Sequence, residues 1–282
     1  MIIVKLMGGL GNQLFQYALG RRLALKNKTE LFLDISRLES YGKPRQYSLS
    51  HLAIAGSIAT NKQLAKLKII NLFDFFKPYG KKSIIRERGY PFDPSVINAP
   101  RNVYLDGHWQ TEKYFKDIED TIRRDITIKD PPDKKYLTIL DKIRRTNSVS
   151  LHVRRTDYLV GKNTSVFTIC QLEYYKQALM FIAQKIGIQE LFVFSDDIEW
   201  ANKNISFPCP ITFVSDSNFA DYQELMLMSS CKHNIIANST FSWWGAWLNN
   251  NPQKIVITPK NWFVAAAAID EKDMIPSTWI KI

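Results

Sequence analysis

Cysteine is scarce in this chain: Cys170, Cys209 and Cys231 are the three, scattered and odd in number. That excludes a disulfide framework and leaves no CxxC spacing for a metal, so a reducing compartment is the simple inference. Long apolar runs are missing as well. No window approaches the run of about 20 residues needed to span a bilayer. The opening MIIVKLMGG has no basic stretch before its short apolar run, so it reads as a first strand and not as a secretory leader. Internal repeats and long low-complexity tracts are absent. Ala265–Ala268 is a brief alanine run with no legible purpose. No basic helix interleaved with aromatics stands out, and no nucleic-acid motif matches.

Acidic residues are the minority charge, 27 against 38 Lys and Arg, for a net charge of +11. That balance favours anionic partners: nucleotides, nucleic acids or an anionic membrane surface. Most of these cations are spread widely enough to be solvated faces. Hydrophobic residues at 45% and charged residues at 23% describe a globular chain, and 282 residues suffice for two domains.

The pattern of elements divides the chain near its middle. Strand Ile2–Leu6, the turn Gly8-Gly9-Leu10-Gly11, a helix over 12–28 and a strand over 30–34 form a β–turn–α–β unit. An irregular aromatic stretch comes next, then a strand over 103–110 and a helix through Tyr114, Phe115, Ile118 and Ile122. The polar segment KDPPDKK, 129–135, carries a Pro-Pro pair that halts regular structure and reads as a linker. Beyond it, apolar strands at 149–153, 191–194, 211–214, 234–237 and 254–257 alternate with helices over 172–186, 222–230 and 241–249. Such alternation predicts an α/β fold with a parallel sheet covered on both faces.

Four strands of that second half run out into polar clusters: Arg154-Arg155-Thr156-Asp157, Ser195-Asp196-Asp197, Ser215-Asp216-Ser217 and Asn238-Ser239-Thr240. Open α/β sheets bind ligands outside the carboxyl ends of their strands. One such cluster is an ordinary turn or cap, but four together describe a nucleotide pocket. Adjacent guanidiniums at a strand end need an anion, and their planar forks match a diphosphate. An Arg–Asp surface pair is the plainer alternative. The start of the helix after Asn238 suits phosphate. Trp243, Trp244 and Trp247 read as core packing, not sugar platforms. Asp196 and Asp197 lack the spacing of a metal-holding pair, so no metal is expected. Asp221 reads either as a guanine-edge acceptor or as a helix cap. GGLGN lacks the full dinucleotide fingerprint; its value is close backbone approach to a ligand.

GGLGNQLFQYALGRRLA, LDGHWQTEKYF, HVRRTDY, NSTFSWWGAWL and IPSTWIKI occur in that order over essentially the whole chain. Together they resemble the α-1,2-fucosyltransferases of glycosyltransferase family 11 in a short bacterial form. HVRRTD alone is shared with α-1,6- and protein O-fucosyltransferases. The resemblance implies a GT-B-like fold: two Rossmann-like domains facing across a cleft, with residues 1–130 on the acceptor side and 131–282 binding GDP-fucose. It implies transfer with inversion to the 2-hydroxyl of a terminal β-galactoside, without metal or cofactor, in O-antigen synthesis.

By motif, the resemblance places Arg154 on the β-phosphate and leaving oxygen, with Arg155 beside it and His152 at the nucleotide. Asp221 falls on guanine, and Ser239, Thr240 and Ser242 on the phosphate. Gly11, Asn12 and Gln13 belong to the glycine-rich loop of the other domain, which faces the sugar and diphosphate, and Asn12 stands with Arg154 and Asp157 as a catalytic candidate. Asp157 orients an arginine more readily than it acts as a base. The base stays open among His108, Asp106 and Glu112, chosen by position near a strand end. Another GDP-sugar fucosyltransferase is the alternative, and a basic nucleic-acid-binding module is the reading from a different class. The localisation expected is cytoplasmic, and the +11 charge suits peripheral contact with an inner membrane carrying lipid-linked glycans.

Overall fold

The computed structural model describes residues 1–38, 45–68, 72–217 and 219–282, without the side chains of 68, 72, 73, 162, 216 and 217. The chain forms two compact units. Unit 1 is Met1–Lys129 with Asp270–Pro276, and unit 2 is Asp130–Ile269 with Ser277–Ile282. The passage between them falls within the polar 129–135 segment. Asp133 there caps the next helix, its carboxylate accepting the Tyr136 N–H at 2.8 Å. Asp270–Pro276, inside the range expected for the second domain, groups with the first.

Unit 1 carries strands β1 (Ile2–Lys5), β2 (Leu31–Asp34), β3 (Ser57–Ile58), β4 (Ile84–Arg86) and β5 (Val103–Asp106). Its helices are α1 (Leu10–Lys26), α2 (Asn61–Lys68) and α3 (Glu119–Asp125). The sheet order is β3-β2-β1-β5-β4, and every pairing is parallel. Ile2, Ile3 and Val4 are fully buried because both faces of β1 are covered, which explains an unbroken apolar run where a half-exposed strand would alternate. α1 lies close on β1: a Cβ at Gly20 would come within 2.3 Å of Val4 Cγ2. The stretch that reads as irregular holds α2 and the short edge strands β3 and β4. The helix expected through Tyr114–Ile122 is instead two 3-10 turns, Glu112–Tyr114 and Lys116–Ile118, followed by α3.

Unit 2 carries β6 (Ser148–Val153), β7 (Glu190–Ser195), β8 (Ile211–Phe213), β9 (His233–Ile235), β10 (Val256–Thr258) and β11 (Ile280–Lys281). Between them run α4 (Lys134–Arg145), α5 (Leu172–Lys185), α6 (Ile198–Asn204), α7 (Asp221–Ser230) and α8 (Thr240–Leu248). The order β11-β10-β9-β6-β7-β8, all parallel, is the doubly wound arrangement of a dinucleotide-binding sheet. Val149, Leu151 and Val153 pack with Leu191, Val193, Ala178 and Ile182 into its core. The tryptophans of α8 are core: Trp243, Trp244 and Trp247 are at most 3% exposed, and neighbouring rings lie 5.2 Å apart. Beneath them Asn234 donates to Ser150 Oγ at 2.7 Å and to the Met228 carbonyl at 3.0 Å, and accepts from Asn249 at 2.7 Å. That satisfied polar knot ties β6, β9, α7 and the end of α8 into one register.

Two parallel Rossmann-like sheets with their helices make this an α/β chain of the GT-B type. Among the described residues no helix is long and apolar enough to cross a membrane.

Candidate functional site

A doubly wound sheet offers its ligand crevice where the strand order reverses, at the carboxyl ends of the two central strands. In unit 2 those strands are β6 and β9, which pair in register Val149↔His233. β6 runs out through His152 into Arg154 and Arg155, and β9 leads to Asn238-Ser239 and the start of α8. The two ends meet: the His152 ring lies 5.5 Å from the Phe241 ring, and Tyr158 donates its hydroxyl proton to the Asn238 carbonyl at 2.8 Å. The Arg154 guanidinium stands 5.7 Å from the centre of the Tyr158 ring.

Arg154 donates through Nη2 to Asp157 at 2.7 Å, and its Nε lies 3.3 Å from Asp196. Arg155 pairs with Asp197 at 3.5 Å. Asp196 also accepts the N–H groups of Arg155 at 2.9 Å and Thr156 at 3.2 Å. The arginines therefore find anionic partners within the chain, and the plain Arg–Asp pairing is realised at this strand end. Unused capacity remains, since the buried Nε atoms of both arginines and the Nδ1 of His152 have no hydrogen-bond partner. Burial, then the neighbouring Arg154, hold the His152 imidazole down at about 3, so it is neutral and works only as a hydrogen-bonding group.

Around the start of α8, Ser239 is the N-cap, its Oγ accepting the Phe241 N–H at 3.3 Å. Thr240 opens the helix and is half-buried. Ser242 is fully buried, and its hydroxyl turns back to the Ala237 and Ser239 carbonyls. The Asn238 amide is spent on the Thr168 and Trp262 carbonyls at 2.6 and 2.8 Å. These two fix the loop, while Ser239 and Thr240 stand at the positive end of the α8 peptide dipoles.

Asp221 is exposed as the first residue of α7, after the cap position, and its own Oδ1 accepts the Tyr222 N–H at 2.8 Å. Asp216 and Ser217 lie outside the described side chains. Ser215 accepts the Ser195 N–H at 3.0 Å and hydrogen-bonds Glu224. Burial pushes the Glu224 carboxyl up to about 7, against the Ser215 hydrogen bond and with help from Asp221. Glu224 is a group the sequence did not single out, since a glutamate inside an ordinary helix carries no signal of burial.

In unit 1 the order reverses between β1 and β5. After β1, Gly8 takes φ +77°, and a Cβ there would sit 2.3 Å from the Asn12 amide nitrogen. Gly11 is buried in the first turn of α1. Asn12 accepts from Gln110 at 2.9 Å, which joins this turn to the segment after β5. Gln13 is buried: it donates to the Gly8 and Gln46 carbonyls at 3.0 and 2.8 Å and accepts from Ser48 at 3.2 Å. It shapes the loop, which leaves Asn12 as the one of the pair nearer the β5 segment.

That segment is held by Glu87, whose carboxylate accepts the N–H groups of His108 at 2.6 Å and Trp109 at 2.8 Å. Trp109 has φ +58°, a conformation an L-residue keeps only when its surroundings impose it. Of the three candidate bases, Asp106 pairs with Lys5 at 2.7 Å and Glu112 with Lys116 at 3.0 Å. His108 keeps a buried Nδ1 with no partner, and burial lowers its pKa. The cysteines are inert by environment: burial raises the Cys170 thiol to about 11 and also raises Cys209 and Cys231.

A family model, glycosyl transferase family 11, matches residues 1–282. The chain is 32% identical to an α-1,2-colitosyltransferase of Escherichia coli, over 100% of this chain and 98% of that protein. It is likewise 32% identical to the O-antigen biosynthesis glycosyltransferase WbnK of Escherichia coli, over 98% and 99%. Among solved structures it is similar to NodZ α-1,6-fucosyltransferase soaked with GDP-fucose, with TM-score 0.50 and 14% identity over 91% of this chain and 94% of that one.

Proposed function

Because this chain belongs to glycosyl transferase family 11, we propose that it moves L-fucose from GDP-β-L-fucose to the 2-hydroxyl of a terminal β-galactoside. Configuration inverts to give an α-1,2 linkage, and the product is a surface glycan of the O-antigen type. The reading is supported by relatives whose names carry α-1,2 deoxyhexosyl transfer and O-antigen biosynthesis. One observation carries the chemistry: Arg154 stands at the reversal point of unit 2, where the end of β6 meets the start of α8.

The reaction needs a place for negative charge. As the bond from C1 to the β-phosphate oxygen breaks, the acceptor oxygen bonds C1 from the opposite face and GDP departs. Arg154, aided by the positive end of α8, stabilises the oxygen that gains charge. The interaction strengthens on the way to the transition state, which is what accelerates a step. Asp157 and Asp196 orient that guanidinium, Arg155 supports the same strand end, and His152 and Asp221 serve the nucleotide. We assign the acceptor to unit 1, with Asn12 positioning it and neutral His108 taking the hydroxyl proton. The reaction needs no metal, so turnover persists in excess EDTA.

The colitosyltransferase relative favours a second reading, in which the donor sugar is the 3-deoxy analogue of fucose. Both donors are supplied to the full chain with a panel of β-galactosides, and product linkage is read by NMR. Transfer of fucose to O2 with α configuration is the expected result. Preference for the 3-deoxy sugar selects the second reading. Absence of transfer from either, with no GDP uptake by calorimetry, overturns both.

A further inference from the structure

The carboxyl ends of the unit 1 strands hold the glycine turn and the Trp109 segment. The opposite rim, where parallel strands begin, has a different chemistry. Phe75 and Phe76 project there, 82% and 83% exposed, their rings edge to face at 5.5 Å. They close a 3-10 turn, Leu72–Phe76. Asp74 between them and the rest of the turn is buried, accepting the Ser83 N–H at 2.7 Å and Lys77 Nζ at 2.6 Å. Ser83 is the residue before β4, so the aromatic pair is anchored at the start of that strand.

The same rim is basic. Lys28, Lys82 and Arg101 precede β2, β4 and β5, and Arg101 donates to the Lys28 carbonyl at 3.3 Å. Lys26 and Lys81 converge on Asn98, reaching its Oδ1 at 2.5 Å and its carbonyl at 3.2 Å. Against these stand Glu30, Asp74, already spent on Ser83 and Lys77, and Asp117, which lies near Lys26 and pairs with Arg22 at 3.0 Å. Two large aromatic rings exposed side by side on a rim that also carries these cations form a patch of the kind that marks an interaction surface.

We propose that this rim is a docking surface for an anionic lipid bilayer, with Phe75 and Phe76 entering the headgroup–acyl boundary and the lysines and Arg101 meeting lipid phosphates. A bilayer suits a projecting pair on a turn, where a peptide ligand needs a groove. Lys and Arg stems lie along apolar surface while their heads reach the phosphates. Apolar insertion and a polybasic patch together give firm yet reversible attachment, which neither gives alone. The surface lies at the end of the unit 1 sheet opposite its reversal point, so docking leaves the proposed acceptor residues uncovered. The inference does not depend on the donor or linkage proposed above.

The test is flotation of the full chain with vesicles of phosphatidylcholine alone or with about 30% phosphatidylglycerol. The chain floats with the anionic vesicles, less so as salt rises, and stays behind with the neutral ones. Phe75→Ser with Phe76→Ser lowers binding by about tenfold or more, and so does Lys81→Glu with Lys82→Glu. Both variants keep the melting temperature of the parent and its turnover on a soluble galactoside. Three outcomes overturn the proposal: no flotation of the parent at low salt, flotation of the Phe variant equal to the parent, or a Phe-dependent dimer by light scattering. If turnover on the soluble galactoside is absent while flotation behaves as stated, the enzymatic reading fails and the docking surface stands.

Discussion

The Arg155 guanidinium carbon lies 4.0 Å from the centre of the Trp200 ring. With Asp197 at 3.5 Å, that stacking commits Arg155 to α6. Its neighbour Arg154 holds only carboxylates and the distant Tyr158 ring. Two adjacent arginines thus do different work. Arg154→Ala is expected to lower turnover by about 10²–10³-fold with the fold intact, and Arg154→Lys fails too, because a point charge does not reproduce the fork. Arg155→Ala is expected to cost about 1 kcal/mol of stability and far less turnover. Equal losses of turnover in the two alanine variants refute this division.

Asp196 is the hub of the strand end. It accepts two backbone N–H groups and the Thr156 hydroxyl while lying 3.3 Å from Arg154. Asp196→Ala leaves those donors unmet and takes away one of the two carboxylates beside the Arg154 guanidinium. A loss of about 2–3 kcal/mol in urea unfolding is expected, with weaker GDP binding by calorimetry. A variant as stable as the parent contradicts that anchoring role.

Glu224 sets a pH dependence. Its folded pKa, raised by burial to about 7, lies above the ordinary 4.5. Across that window the folded chain keeps a proton that the unfolded chain has released. The stability this group contributes is full below about 4.5 and is lost as pH rises through 7. Melting curves from pH 5 to pH 8 should show the parent losing stability relative to Glu224→Gln. Parallel pH profiles for the two proteins rule the effect out.

Gly8→Ala tests the turn of unit 1. The new Cβ meets the Asn12 amide, and φ +77° is strained for alanine. A cost of about 1–2 kcal/mol is expected, with a raised acceptor KM as Asn12 leaves Gln110. An unchanged KM means that Asn12 has no part in acceptor binding.

How much of this was legible in the sequence depended on burial. β6, β7 and β9 stand out because strands covered on both faces are unbroken apolar runs, and the polar residues at their ends fall where an open sheet keeps its ligands. β3 and β4 were invisible, being two and three residues long at sheet edges. The partners of the arginine pair were half legible: Asp157 is adjacent, but Asp196 comes from another strand 41 positions away. Asn238 and Ser242 share the composition of a phosphate loop, yet their donors serve carbonyls. Those of Thr168 and Trp262 reach Asn238 only through the fold.

The return of Asp270–Pro276 to unit 1 has a practical side. Asp273 accepts the Phe92 N–H at 2.9 Å and meets Lys113 at 2.5 Å, so a late stretch of chain is stitched into the early half. A single cut at the 129/130 junction therefore gives two damaged fragments: the first lacks its stitch, and the second carries an orphaned one between β10 and β11. Exchanging one whole unit with that of a relative requires three junctions, and a one-junction chimera joins Asp270–Pro276 to a first unit it did not come from.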